Sequence, residues 1–104
     1  MKGFWTWPSE PKEQEKTLRR IIQEDELVAV LSALAKSPDG LSNAQLDKLL
    51  HNNSQWRTLS HMKELMALGF VQYHVQLFGE AGRYQLTELG RSVVARLQPE
   101  APSG

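Results

Sequence analysis

Eight side chains in the second half of the sequence have the chemistry to grip a nucleic acid: Ser54, Gln55, Trp56, Arg57, Ser60, His61, Lys63 and Arg83. Seven of them fall between residues 54 and 63. Arg57 is the strongest, because its planar guanidinium can bind the O6 and N7 of guanine together or hold a phosphate. Ser54 and Ser60 can bind phosphates or base edges, and Lys63 adds a cation. Gln55 lies on the apolar side of the helix wheel, so its use depends on the geometry of the first turn. Trp56 either folds under the following hairpin, packs on the preceding helix, stacks on a base or joins an interface. Arg83 stands apart in a hairpin turn, from which it could grip phosphate or enter a minor groove. Each also has a plainer reading. An arginine on the solvated face of an amphipathic helix needs no ligand, and a histidine such as His61 often serves packing. Glu64, near the centre of the same face, argues against deep phosphate contact, since carboxylates repel phosphates, although it could accept from cytosine N4.

Catalytic chemistry finds little to work with. His51, His61 and His74 lack the close spacing of a helical metal pair, and the sequence has no cysteine, so a zinc site is not expected. Gly79 and Gly82 fall in a hairpin turn and not in a phosphate-cradling loop after a strand. No nucleophile motif surrounds the serines. The expectation is a protein without catalytic residues, cofactor or metal.

The elements that must position these side chains can be read in turn. Thr58, Leu59, Met62, Leu65 and Met66 recur at helical spacing and make residues 54–69 an amphipathic helix. Trp56, Arg57, Ser60, Glu64 and Ala67 occupy its other face, with His61 and Lys63 at the edges. Gly69 ends it, as a residue that tolerates a left-handed backbone. Before it, Ser42 and Gln45 have the spacing of a capping box, and Leu41 and Leu46 that of a hydrophobic staple. They start a helix that runs to about Leu50, followed by the turn His51-Asn52-Asn53. Asn53 or Ser54 caps the long helix. After Gly69, Val71, Tyr73, Val75 and Leu77 alternate with Gln72, His74 and Gln76, which predicts a half-buried strand. Gly79-Glu80-Ala81-Gly82 turns the chain, Tyr84 and Leu86 mark the returning strand, and Thr87 caps a last helix with Leu89, Val93 and Leu97 inward. Gly90 in that helix's first turn costs roughly 1 kcal/mol of propensity relative to Ala and predicts close packing against another element.

The N-terminal half is also helical. Ser9-Glu10-Pro11 reads as a start with a capping Ser and an early Pro. Leu18, Ile21 and Ile22 form one apolar group, and Leu27, Val28, Val30, Leu31 and Leu34 a second. Glu24-Asp25-Glu26 between them lies either on the solvent face of one long helix or at the start of a second, and two helices or one kinked helix are preferred. The second group is apolar nearly all round, which predicts burial on several sides. Phe4, Trp5 and Trp7 give the first residues a large apolar load, so residues 1–9 are read as an aromatic tail that packs on the body or on a second subunit, with a disordered terminus as the plain alternative. Residues 10–98 are read as the domain and 99–104 as a flexible tail.

At 104 residues the chain can form one small domain with one core. It carries 12 basic and 12 acidic side chains, which counts against coating nucleic acid by bulk charge. Residues 54–98 hold five basic and three acidic side chains, a mild positive excess. No apolar run approaches the ~20 residues of a membrane span, and no secretory signal precedes the domain. These features lead to an expectation of a cytoplasmic protein with no membrane partner.

The order helix, helix, turn, helix, hairpin, helix resembles the winged helix-turn-helix superfamily of DNA-binding regulators. Met62, Leu65, Gly69, Phe70 and Val71 occupy the places of its helix core, glycine and strand start. His61-Met62-Lys63-Glu64-Leu65 looks like its frequent H-L-x-x-L segment. Tyr84-Gln85-Leu86-Thr87-Glu88-Leu89-Gly90-Arg91 resembles the Y-x-L-T-x-x-G-R of PadR-like, MarR-like and small archaeal or bacterial regulators. The resemblance spans roughly residues 26–98. It implies a mainly α fold with a small antiparallel β-hairpin and an extra N-terminal helix. It also implies double-stranded DNA as partner, with helix 54–69 in the major groove and the 79–83 wing on the backbone or minor groove, and a homodimer through the N-terminal helix, the aromatic tail or the last helix. The competing expectation is a winged-helix protein–protein interaction module of a transcription or replication assembly, which zero net charge, Glu64 and Trp56 would suit.

Overall fold

The computed structural model describes residues 6–50 and 55–97, with residues 55 and 56 described by backbone alone. Five helices and one hairpin follow each other: α1 (Pro11–Ile22), α2 (Asp25–Ala35), α3 (Asn43–Leu50), α4 (Gln55–Ala67), β1 (Val71–His74), β2 (Arg83–Leu86) and α5 (Glu88–Leu97). The two apolar groups of the N-terminal half are separate helices, and the acids between them open α2, with Asp25 and Glu26 in its first turn. Acidic side chains there complement the partial positive charge of the exposed N–H groups. α1 starts differently from the sequence reading. Its capping residue is Glu10 and not Ser9, no side chain caps it, and Pro11 takes the first helical position. Proline has no N–H to satisfy there, so one capping bond is not needed.

α2 is the axis of the core. Leu27, Val30, Leu31 and Leu34 are all buried, and the helix packs against α1, α3, α4, α5 and β2. Its nearly all-round apolar sequence is buried over most of its circumference, with Val28 and Ala33 partly covered and Ala29 left exposed. Leu18 and Ile21 of α1 belong to the same core, which leaves Ile22 half exposed at the helix end. Two of the three residues of the first apolar group are therefore spent within the chain. Trp7 packs edge-on against Phe70, with ring centroids 5.2 Å apart, and the Arg96 guanidinium lies over the Trp7 ring, 5.9 Å from its centroid. The Pro8 carbonyl accepts from Gln14 at 2.9 Å. That end of the aromatic tail sits on the body, while Phe4 and Trp5 lie outside the described residues.

The capping box forms as its spacing predicts. The Gln45 N–H donates to Ser42 Oγ at 3.3 Å, and the Ser42 N–H donates to Gln45 Oε1 at 2.9 Å. Each such cap contributes about 1 kcal/mol. Just before it, Leu41 exchanges both backbone hydrogen bonds with Tyr84, which adds a one-residue third strand to the sheet. The hairpin itself is antiparallel, with Val71 opposite Leu86 and His74 opposite Arg83.

The strand that the alternation suggested through Leu77 ends at His74. Of its inward candidates only Val71 is buried. Tyr73, Val75 and Leu77 are 48%, 80% and 73% exposed. The reason is the partner: β2 is four residues long, so beyond His74 there is neither a ladder to join nor a core to face. Tyr73 instead covers Tyr84, with ring centroids 4.8 Å apart.

Candidate nucleic-acid interface

α4 is anchored by one side and open on the other. Thr58, Met62 and Leu65 have no measurable exposure, and Leu68 and Phe70 just beyond the helix are buried with them. The helix ends in a tight reversal. The Gly69 N–H donates to the Met66 carbonyl and the Phe70 N–H to the Leu65 carbonyl, with Gly69 at φ +84°. This pairing satisfies the last carbonyls of the helix and needs a left-handed residue between them. The start of α5 then locks to it. Thr87 Oγ1 donates to the Gly69 carbonyl at 2.6 Å and accepts from the Gly90 N–H at 3.0 Å. Gly90 is needed for contact, as its sequence position suggested, because a Cβ there would overlap the Phe70 carbonyl oxygen.

On the open side, Arg57, Ser60 and Lys63 are exposed. His61 is largely covered, with its side chain 15% exposed. Arg57 and His61 meet a residue that sequence reasoning did not single out as functional: Glu26, in the first turn of α2. Its Oε1 lies 3.2 Å from Arg57 Nε and 2.6 Å from His61 Nε2. The His61 hydrogen bond, with the Arg57 charge behind it, holds the Glu26 carboxyl below the ordinary carboxylate range against the opposing effect of burial. His61 Nδ1 faces Glu64 at 3.8 Å, so Glu64 is turned partly towards its own helix. Exposed ion pairs contribute only about 0.2–1 kcal/mol, so the value of this cluster is geometric. No local pattern announces it. Glu26 is 31 residues from Arg57 and 35 from His61, and in sequence it looks like one acid of a helix-start run.

The remaining candidates are spread out. Arg83 opens β2, half-buried, beside His74. Among the described residues no hydrogen bond or ion pair joins it to the α4 cluster. Ser54 lies outside the described residues, as do the side chains of Gln55 and Trp56. The mild positive excess of the second half is partly offset, since Arg57 pairs with Glu26 and Arg96 with Glu15. Between the start of α3 and the wing is an open cleft of about 310 Å³, lined by Ser42, Asn43, Asp47, Tyr73, Ala81 and Gly82. The loop between β1 and β2, residues 75–82, exposes three large apolar side chains, Val75, Leu77 and Phe78. Phe78 is 98% exposed and takes a left-handed backbone, φ +60°, which is rare for a bulky residue.

This arrangement has a solved counterpart. The chain is similar in structure to a point mutant of MepR from a multidrug-resistant S. aureus clinical isolate, at 15% sequence identity and a TM-score of 0.70, over 88% of this chain and 70% of that one. MepR is a winged-helix protein. The chain folds as a winged helix-turn-helix. Within that fold α3 and α4 are the helix-turn-helix pair, α4 is the second helix, and the β1–β2 hairpin is the wing. No family model matches the chain, and no curated protein matches it in sequence. None of the described helices is long and apolar enough to cross a membrane.

Proposed function

We propose that the chain binds double-stranded DNA and acts as a transcription regulator, with α4 in the major groove and the 79–83 wing on the backbone or minor groove. The observation that carries this reading is the division of α4. One side is sealed into the core by Thr58, Met62 and Leu65, while Arg57, Ser60 and Lys63 stand outward on a helix that a winged helix-turn-helix offers to a groove. A B-DNA major groove admits one α-helix, and in helix-turn-helix proteins the N-terminal part of the second helix meets base edges. The likeness in fold to MepR, a MarR-family transcription regulator, supports the reading, as does the Y-x-L-T-x-x-G-R resemblance at residues 84–91. A homodimer through α1, the aromatic tail or α5 would set two α4 helices about one DNA turn apart. With Leu18 and Ile21 buried, Ile22 is the main apolar group α1 has left for it. A monomer at high concentration in light scattering would remove the dimer from the reading.

The salt dependence of binding tests the proposal. Affinity for random duplex DNA should fall steeply as salt rises, because bound phosphates release counterions. In a chain carrying both Arg57→Ala and Arg83→Ala the log–log slope should be shallower by roughly 1–2. A second reading, a protein–protein interaction module, is favoured by one observation: Val75, Leu77 and Phe78, within four residues of the hairpin loop, are all strongly exposed, and exposed apolar groups close together commonly mark protein contacts. Absence of duplex binding at low salt would select it.

A further inference from the structure

We propose that Glu26 is a positioning residue that makes Arg57 a reader of guanine. This rests on the duplex-DNA reading above and says which base the α4 face selects. Arg57 is bound by Glu26 through Nε at 3.2 Å, so its guanidinium is held by one edge. Its two terminal nitrogens have no protein partner among the described residues, and the side chain is 63% exposed. A guanidinium held at Nε presents its Nη1 and Nη2 groups as a fixed pair of parallel donors. Guanine is the base whose major-groove edge offers two adjacent acceptors, O6 and N7. Adenine pairs an acceptor with a donor, cytosine offers a donor, and thymine has one acceptor beside a methyl group.

The second partner of Glu26 is part of the argument. A lone carboxylate at a DNA-facing surface would be repelled by phosphates. Glu26 Oε1 is covered by Arg57 on one side and by His61 Nε2, at 2.6 Å, on the other. His61 is mostly buried and sits one helical turn after Arg57, so it anchors the carboxylate while Arg57 remains exposed. The order of support runs from the covered His61 to Glu26 to the exposed Arg57. Ser60 and Lys63 flank this unit with groups that bind phosphate or any base edge and discriminate less. A lysine at position 57 could carry the charge but not the fork.

Duplexes selected from a random pool by the wild-type chain should share a guanine. Replacing it by another base should weaken binding roughly 10- to 100-fold. Replacing it by 7-deazaguanine, which lacks the N7 acceptor, should weaken binding by several-fold. In Glu26→Ala, affinity for random duplex should hold or rise, because one negative charge leaves the surface, while discrimination at that guanine falls to within about threefold. Glu26→Gln keeps an acceptor for Arg57 Nε and should retain most of the discrimination, whereas Arg57→Lys should lose it. A purely structural role for Glu26 would lower affinity for all duplexes alike, and that result overturns the proposal. So does a wild-type chain that selects duplexes without a shared guanine, or a Glu26→Ala chain that discriminates like wild type. Failure of the wild-type chain to bind any duplex at low salt is a separate outcome and overturns the DNA reading itself.

Discussion

Phe70→Ala should remove about 3–5 kcal/mol of folding stability, the usual cost of truncating a fully buried aromatic. Phe70 has no measurable exposure and is the largest of the fully buried side chains. It follows the Gly69 reversal at the end of α4, and its ring packs against Trp7. Collapse around the vacancy would have to move backbone, since the Phe70 N–H is bonded to Leu65 and its carbonyl accepts from Thr87. Natural domains of this size have only about 5–15 kcal/mol in total, so this variant should unfold early. Its urea midpoint should fall by about 2 M, taking a slope of about 2 kcal/mol per molar. Trp7→Ala should cost less in this background than in the wild type, by about 0.5–1.5 kcal/mol, the contribution of an edge-to-face aromatic pair. A midpoint within experimental error of wild type would mean that the core is not built around Phe70.

Gly90→Ala is the second large effect, and its sign is the informative part. Helix propensity alone favours alanine by about 1 kcal/mol. The added methyl group would overlap the Phe70 carbonyl oxygen and press on Leu86. That carbonyl already holds the Thr87 N–H at 2.9 Å, so it cannot turn away without losing a bond at the start of α5. Forcing backbone apart in a packed site costs about 1–3 kcal/mol or more. The expected result is net destabilisation of about 2 kcal/mol, with a melting temperature roughly 10 °C lower for a domain of this length. An unchanged or raised melting temperature would show that α5 can move away from the hairpin at no cost.

Of these two positions, Gly90 can be read from the sequence because its signal is local, whereas Phe70 enters there only through the resemblance and its full burial is a tertiary fact. Gly69 stands just past a helix end, where a left-handed backbone favours glycine, and Gly90 stands in a first helical turn, where glycine is costly unless packing demands it. The capping box at Ser42 and Gln45 joins partners three residues apart. Thr87 precedes the helix it caps. The failures have the opposite character. The alternation from Val71 to Leu77 is a local pattern too, but a strand needs a partner, and β2 supplies only four residues. Nothing in α1 itself says whether Leu18 and Ile21 face the chain's own core or a second subunit; their burial in the core beside α2 answers that for these two residues. Glu26 was invisible as a site residue because its partners lie on another helix, and a run of three acids at a helix start has a sufficient explanation without them. Arg57, Ser60 and Lys63 could be placed on an outer face by helical spacing alone. That Arg57 is held at one edge, and that His61 is mostly covered, are tertiary facts.

The hydroxyl of Thr87 has a mechanical side. It donates to the last turn beyond α4 and accepts from the first turn of α5, so one short rotor clasps the two helices end to end. With the backbone bond from the Thr87 N–H to the Phe70 carbonyl, the turn after α4 and the start of α5 share three hydrogen bonds through one residue. Removing that one hydroxyl would leave the Gly69 carbonyl and the Gly90 N–H unpaired together, so the end of one helix and the beginning of the next are fastened by the same atom.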